Sequence, residues 1–188
     1  MSEVNITNFE GVYEPAEDSW LMANHLPDLK GPVLEIGCGT GIVSISLAKR
    51  GLKVTAVDKN PKAVEATRFN SISNNVEIEV LEGDMFTPVS GRKFGTIVCN
   101  PPYLPPPNQE YQDSELTLAV EGGAGGTEFT ESLLSEAATY LETGGSMYLI
   151  ISSRMKSLGG KWERTTIHQE KFFFEKLMLE CFNFANFR

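Results

Sequence analysis

The chain has 188 residues, 41% of them hydrophobic and 22% charged, with a formal net charge of −9. That length fits one domain with a proper core, the composition is globular rather than disordered, and no apolar run is long enough for a helix to span a bilayer. The acidity weighs against a chain that grips a nucleic-acid backbone by itself, because such binding rests on Lys and Arg, which are scattered here. The start, Met1-Ser2-Glu3-Val4-Asn5, lacks the basic and apolar regions of a signal peptide, so a cytoplasmic protein is expected. Cys38, Cys99 and Cys181 lie far apart and form no metal-ligand spacing; they read as free buried thiols, and no metal is expected.

In chain order, residues 1–31 read as an N-terminal segment with one short helix, and 32–188 as the core of a single domain. Pro15 marks the helix start, with Glu17 and Asp18 in the first turn, where negative charge suits the helix dipole. Trp20 and Leu21 are expected to pack on the core. Pro32-Val33-Leu34-Glu35-Ile36 is a buried strand, followed by the glycine turn Gly37-Cys38-Gly39-Thr40-Gly41 and a helix ending near Gly51. Alternating glycines let a backbone approach a ligand closely, and the helix presents unpaired N–H groups there. A nicotinamide dinucleotide fingerprint wants Gly-x-Gly-x-x-Gly, and the last slot holds Ile42 or Ser44 instead, so the spacing fails.

A second strand, residues 53–58, ends in Asp58, which can take both hydroxyls of a ribose. Asn60-Pro61 starts a helix that closes at Asn74-Asn75. Residues 76–80 alternate as an edge strand leading to Gly83-Asp84-Met85. Glu35, Asp58 and Asp84 thus stand at the ends of three successive strands and together suggest a ligand crevice.

The fourth strand, Phe94-Gly95-Thr96-Ile97-Val98-Cys99, runs into Asn100-Pro101-Pro102-Tyr103. Such a motif is also an ordinary strand end. In a ligand crevice it suits a planar NH2 group: the Asn100 side-chain oxygen and the Pro101 carbonyl can each accept one hydrogen, and Tyr103 can lie against the plane. Residues 104–126 lack clear periodicity and read as a substrate loop. A helix over 127–141 ended by Gly144-Gly145, a fifth strand over 146–151 and a terminal hairpin of two strands complete the chain. His25 and His168 read as isolated residues.

Strand-helix alternation, the glycine loop and the Asn-Pro-Pro-Tyr strand end together resemble the class I S-adenosylmethionine-dependent methyltransferases. That resemblance implies an α/β, doubly wound, Rossmann-like seven-stranded sheet in the order 3-2-1-4-5-7-6, with strand 7 antiparallel. It implies S-adenosyl-L-methionine as cofactor, bound by the loop carrying Gly37, Gly39 and Gly41, with Glu35 and the Gly37 backbone toward its methionyl part, Asp58 toward the ribose, and Asp84 with Met85 toward the adenine. Asn100 would border both cofactor and acceptor, Pro101 and Tyr103 would share its catalytic role, and Pro102 would help bind substrate. More narrowly, Tyr13-Glu14-Pro15-Ala16-Glu17-Asp18-Ser19, the Asn100 motif and Ala119-Val120-Glu121-Gly122-Gly123 resemble the small eukaryotic and archaeal branch of HemK-type glutamine methyltransferases. By that likeness Ser19 lines the methionyl end, and the acceptor is the glutamine of a Gly-Gly-Gln motif in a class I peptide-chain release factor. Relatives of that branch pair with a small zinc-binding activator subunit, for which the edge at 76–80 is the candidate docking strand. An exocyclic amino group of adenine or cytosine, or a protein lysine, is the alternative acceptor. The family helix after strand five is in doubt, because 154–164 is short and glycine-interrupted.

Overall fold

A computed structural model describes residues 4–103, 127–155, 157–158, 162–172 and 175–184. Seven strands form one sheet in the order β3-β2-β1-β4-β5-β7-β6. They are β1 (Val33–Ile36), β2 (Val54–Asp58), β3 (Glu79–Glu82), β4 (Phe94–Cys99), β5 (Leu141–Ser152), β6 (Trp162–Phe172) and β7 (Glu175–Phe184). The pairs from β3 across to β5 are parallel, and β7 runs antiparallel to both β5 and β6. This is the order and the single reversed strand that the resemblance implied.

Period-two alternation assigns each central strand to two cores. Leu34, Ile36, Ile97 and Cys99 point to one face, where helix α4 (Glu128–Tyr140) covers them with Leu133, Leu134 and Ala137. Val33 and Val98 point to the other, under α1 (Glu17–His25) and α2 (Ile42–Lys49). Helix α3 (Pro61–Ser73) joins that second face through Val64, beside Ala56 and Val80, while its Ala63 and Ala66 pack with Val12 of the N-terminal segment. The Asn60 side chain caps it, accepting from Lys62 N at 3.0 Å, as helix-start chemistry demands. Among the described residues no helix is long and apolar enough to cross a membrane.

Several boundaries differ from the sequence expectation. The edge strand starts at Glu79 rather than at 76, because Val76 N donates back to Ser71 O at the end of α3 and the ladder to β2 begins at Thr55↔Glu79. Gly144 and Gly145 do not terminate a helix; α4 already stops at Tyr140. They lie inside β5, where its ladder to β4 shifts register and where a Cβ on Gly145 would come within 2.9 Å of Gly95 O. Trp20 is 42% exposed rather than packed, while Leu21 and Met22 beside it are buried. His25 and His168 are not isolated: their rings stack, with centroids 3.6 Å apart. All three cysteines are free and buried, as expected. The substrate loop over 104–126, including Ala119 to Gly123, lies outside the described residues. Of 154–164, the residues described form a turn and the start of β6, with no helix among them.

Candidate active site

The first four strands are parallel, so their carboxyl ends open on one edge of the sheet, where ligands of such sheets bind. Gly37 N donates to Val57 O at 2.8 Å, and the loop then departs through positive φ at Gly37 (75°), Gly39 (54°) and Gly41 (86°). These glycines serve different ends. Among the described residues a Cβ on Gly37 would meet no atom within 4 Å, whereas one on Gly41 would lie 2.9 Å from Thr67 Cγ2 and 3.2 Å from Thr67 Cα. Gly37 borders open space; Gly41 is a packing position at the start of α2. Gly41→Ala is therefore expected to lower the unfolding free energy by about 2–4 kcal/mol, from left-handed strain plus overpacking. Gly37→Ala should cost only the strain, about 1–2 kcal/mol. Urea unfolding ranks the two, and equal losses would contradict the distinction.

The three acids occupy unlike surroundings. Glu35 is 3% exposed, and its Oε2 accepts from Ser44 Oγ on α2. Burial pushes its carboxyl up to about 8, against the opposing effect of the Ser44 hydroxyl and N–H. Asp58 accepts from Gly39 N at 3.0 Å and Asn60 N at 2.9 Å, one on each oxygen, which braces the glycine loop against β2. Its pKa is also raised by burial. Asp84 is exposed, and its neighbour Gly83 donates to Asp58 O at 2.9 Å, drawing the end of β3 toward that of β2. Met85 is half-buried with φ 47° and packs partly on the core under α4, so it is not a purely ligand-facing residue. Burial also pushes the Cys38 and Cys99 thiols well up, so neither offers a thiolate nucleophile.

At the end of β4, Pro101 is buried and Asn100, Pro102 and Tyr103 are half-buried. The Asn100 Oδ1 atom is fully buried yet has no hydrogen-bond partner among the described residues. An orphaned buried acceptor costs about 1–3 kcal/mol, so a donor that reached this atom would be favoured. The Tyr103 hydroxyl donates to Asp18 Oδ2 at 3.2 Å, and the Tyr13 hydroxyl donates to the same atom at 3.2 Å. Ser19 Oγ donates to Asp18 Oδ1 at 3.1 Å. One carboxylate, 3% exposed, therefore gathers the N-terminal segment, α1 and the Asn-Pro-Pro-Tyr motif. Burial and then the Asp18 charge raise the pKa of both phenols, which stay protonated as donors. Sequence reading placed Asp18 at the helix start and both residues in the motif of the resemblance, but gave neither a partner in the site. The available signal was an aromatic and an acid flanking a helix start five residues apart.

This edge joins an open glycine backbone, buried carboxyl groups suited to a cationic ligand, and an orphaned acceptor on the next strand. The donor set fits S-adenosylmethionine, which carries a sulfonium and an ammonium group. Residues 3–116 match the family of methyltransferase small domains. A Methanocaldococcus jannaschii protein, provisionally assigned as a protein N5-glutamine methyltransferase, is 43% identical over 179 residues, 89% of both proteins. The chain belongs to the methyltransferase small domain family. It is a class I, S-adenosylmethionine-dependent N-methyltransferase of the HemK type. The release factor glutamine methyltransferase of Deinococcus radiodurans is 34% identical over 148 residues, 73% of this chain and 53% of that protein, so the methyltransferase spans about half of its length. In structure it resembles the Mtq2-Trm112 complex of E. cuniculi, described as responsible for methylation of the eRF1 translation termination factor. The TM-score is 0.67 at 21% identity, over 92% of this chain and 98% of that one. That likeness shows the shared fold.

Proposed function

We propose that this methyltransferase transfers a methyl group to the side-chain amide nitrogen of glutamine in the Gly-Gly-Gln motif of a class I translation termination factor. In this reading residues 1–188 form one cytoplasmic catalytic subunit, which pairs with a small zinc-binding activator along the β3 edge. The activities assigned to the M. jannaschii and D. radiodurans relatives support the acceptor class, and the Mtq2-Trm112 pairing in E. cuniculi supports a partner.

The observation that carries the reading is the orphaned Asn100 Oδ1. An amide nitrogen is a poor nucleophile because its lone pair is delocalised into the carbonyl. Accepting its two hydrogens at Asn100 Oδ1 and the Pro101 carbonyl orients that nitrogen and favours the positive charge it develops as the methyl arrives; the sulfur–methyl bond would break to leave a neutral thioether, and the methylated nitrogen would give up one proton to water. Pro102 and Tyr103 bound the plane of the amide, and Asp18 holds the Tyr103 ring in position. Ser19, Glu35, the Gly37 and Gly39 backbone, Asp58, and Asp84 with Met85 hold the cofactor, which supplies the electrophilic methyl group.

Transfer of labelled methyl to a termination-factor domain, but not to its Gln→Ala variant, is the expected result, with or without a candidate activator. Methylation of RNA or DNA with steep salt dependence, and none of the termination factor, would move the acceptor to an exocyclic base amine.

A further inference from the structure

Away from the strand ends, three metal-ligating side chains from two elements meet at one point. His25 ends α1, while His168 and Glu170 stand two apart on β6 and so share one face of that strand. Glu170 Oε1 lies 3.2 Å from His168 Nε2 and 3.5 Å from His25 Nε2. Donor atoms of all three lie within 4.8 Å of one another. A tetrahedral ion with bonds of about 2.0–2.1 Å has ligand-to-ligand edges of about 3.3 Å, so both nitrogen-to-oxygen spacings already match a coordination sphere.

We propose that His25, His168 and Glu170 form a site for a divalent transition ion of the zinc type, with the remaining position open to water. Two neutral imidazoles and one carboxylate suit zinc and its neighbours, whereas magnesium and calcium demand more oxygen ligands. The two imidazole planes lie 4° from parallel, so their in-plane lone pairs run side by side. Capture of an ion turns each ring about χ2, a broad torsion for histidine, and both side chains are about one-third exposed, which leaves them room to turn. A cavity of about 550 Å³, bordered by His25, Glu170, Trp20 and Phe172, gives the ion and its water access. An ion there ties one end of α1 to β6, while the other end of the same helix carries Asp18 and Ser19 in the active site.

Tag-free full-length protein, treated with chelator and then titrated with Zn2+ by calorimetry, should take up one ion per molecule. Co2+ in its place should give the visible absorption of a tetrahedral nitrogen and oxygen site. His25→Ala and His168→Ala should each weaken Zn2+ binding at least about a hundredfold, the upper range for loss of a mere outer partner, and abolish the cobalt bands. Far-UV circular dichroism and S-adenosylmethionine binding should stay unchanged in both. His168→Gln keeps bulk and polarity on the strand and should behave as His168→Ala does. Zinc uptake at wild-type affinity in the histidine variants, or no uptake by the wild type, overturns the site.

Discussion

Asn100→Ala is expected to lower kcat roughly a hundred- to thousandfold, about 3–4 kcal/mol of transition-state stabilisation, the range measured for losing one preorganised hydrogen-bond partner. Its stability should move the other way or not at all. The Asn100 Oδ1 is buried and unpartnered, so truncation removes an acceptor whose desolvation is uncompensated by any described residue. The relief, about 1–3 kcal/mol, offsets the packing lost with a small side chain. Asn100→Asp keeps an acceptor oxygen at the same place and should retain more activity than alanine. Single-turnover methyl transfer separates this loss from cofactor binding, and thermal unfolding reads the stability. Wild-type turnover in Asn100→Ala would remove the residue from the acceptor site; a loss of activity matched by collapse of the fold would make it structural.

The sheet was legible because strand ends are punctuated by residues with few other uses. Gly37 follows β1, Asp58 closes β2, Gly83-Asp84 follows β3 and Asn100-Pro101 follows β4, and the fold brings all four to one edge. Features that depend on the partner strand were less legible. The start of β3 is set by where β2 can pair and by the Val76 bond to Ser71, neither of which alternation reports. Gly144-Gly145 reads locally as a helix stop, yet the close approach to Gly95 gives it a place inside β5. The Asp18 hub has a local half, Tyr13 five residues away, which spacing could hint at, but its link to Tyr103 spans 85 residues, and on that composition and spacing were silent. The stacked histidines were silent for the same reason: each is unremarkable in its own segment, and only the packing of α1 beside β6 makes them neighbours.

Glu35 should make the protein without cofactor less stable as pH rises from 4.5 to about 8, the ordinary and the buried pKa of its carboxyl. Within that window the unfolded state has released the proton that the native state still holds, so stability falls by about 1.4 kcal/mol per pH unit. The contribution of this one group across the window is ~5 kcal/mol, and it levels off once the native carboxyl ionises. Asp58, also raised by burial, acts in the same direction. Glu35→Gln keeps the size of the side chain and an oxygen able to accept from Ser44 Oγ, but it has no proton to lose. It should therefore match the wild type near pH 5 and exceed it near pH 8 in denaturant unfolding. Cofactor binding should show the opposite preference. A ligand bearing positive charge favours the ionised carboxylate, so wild-type binding should release a proton and tighten as pH rises through the window, whereas the glutamine variant should bind weakly with little pH dependence. Calorimetry in buffers of different ionisation heat counts that proton. A stability gap that does not widen with pH, or tighter binding by the variant, would take Glu35 out of the cofactor site and leave it a neutral core residue held by Ser44.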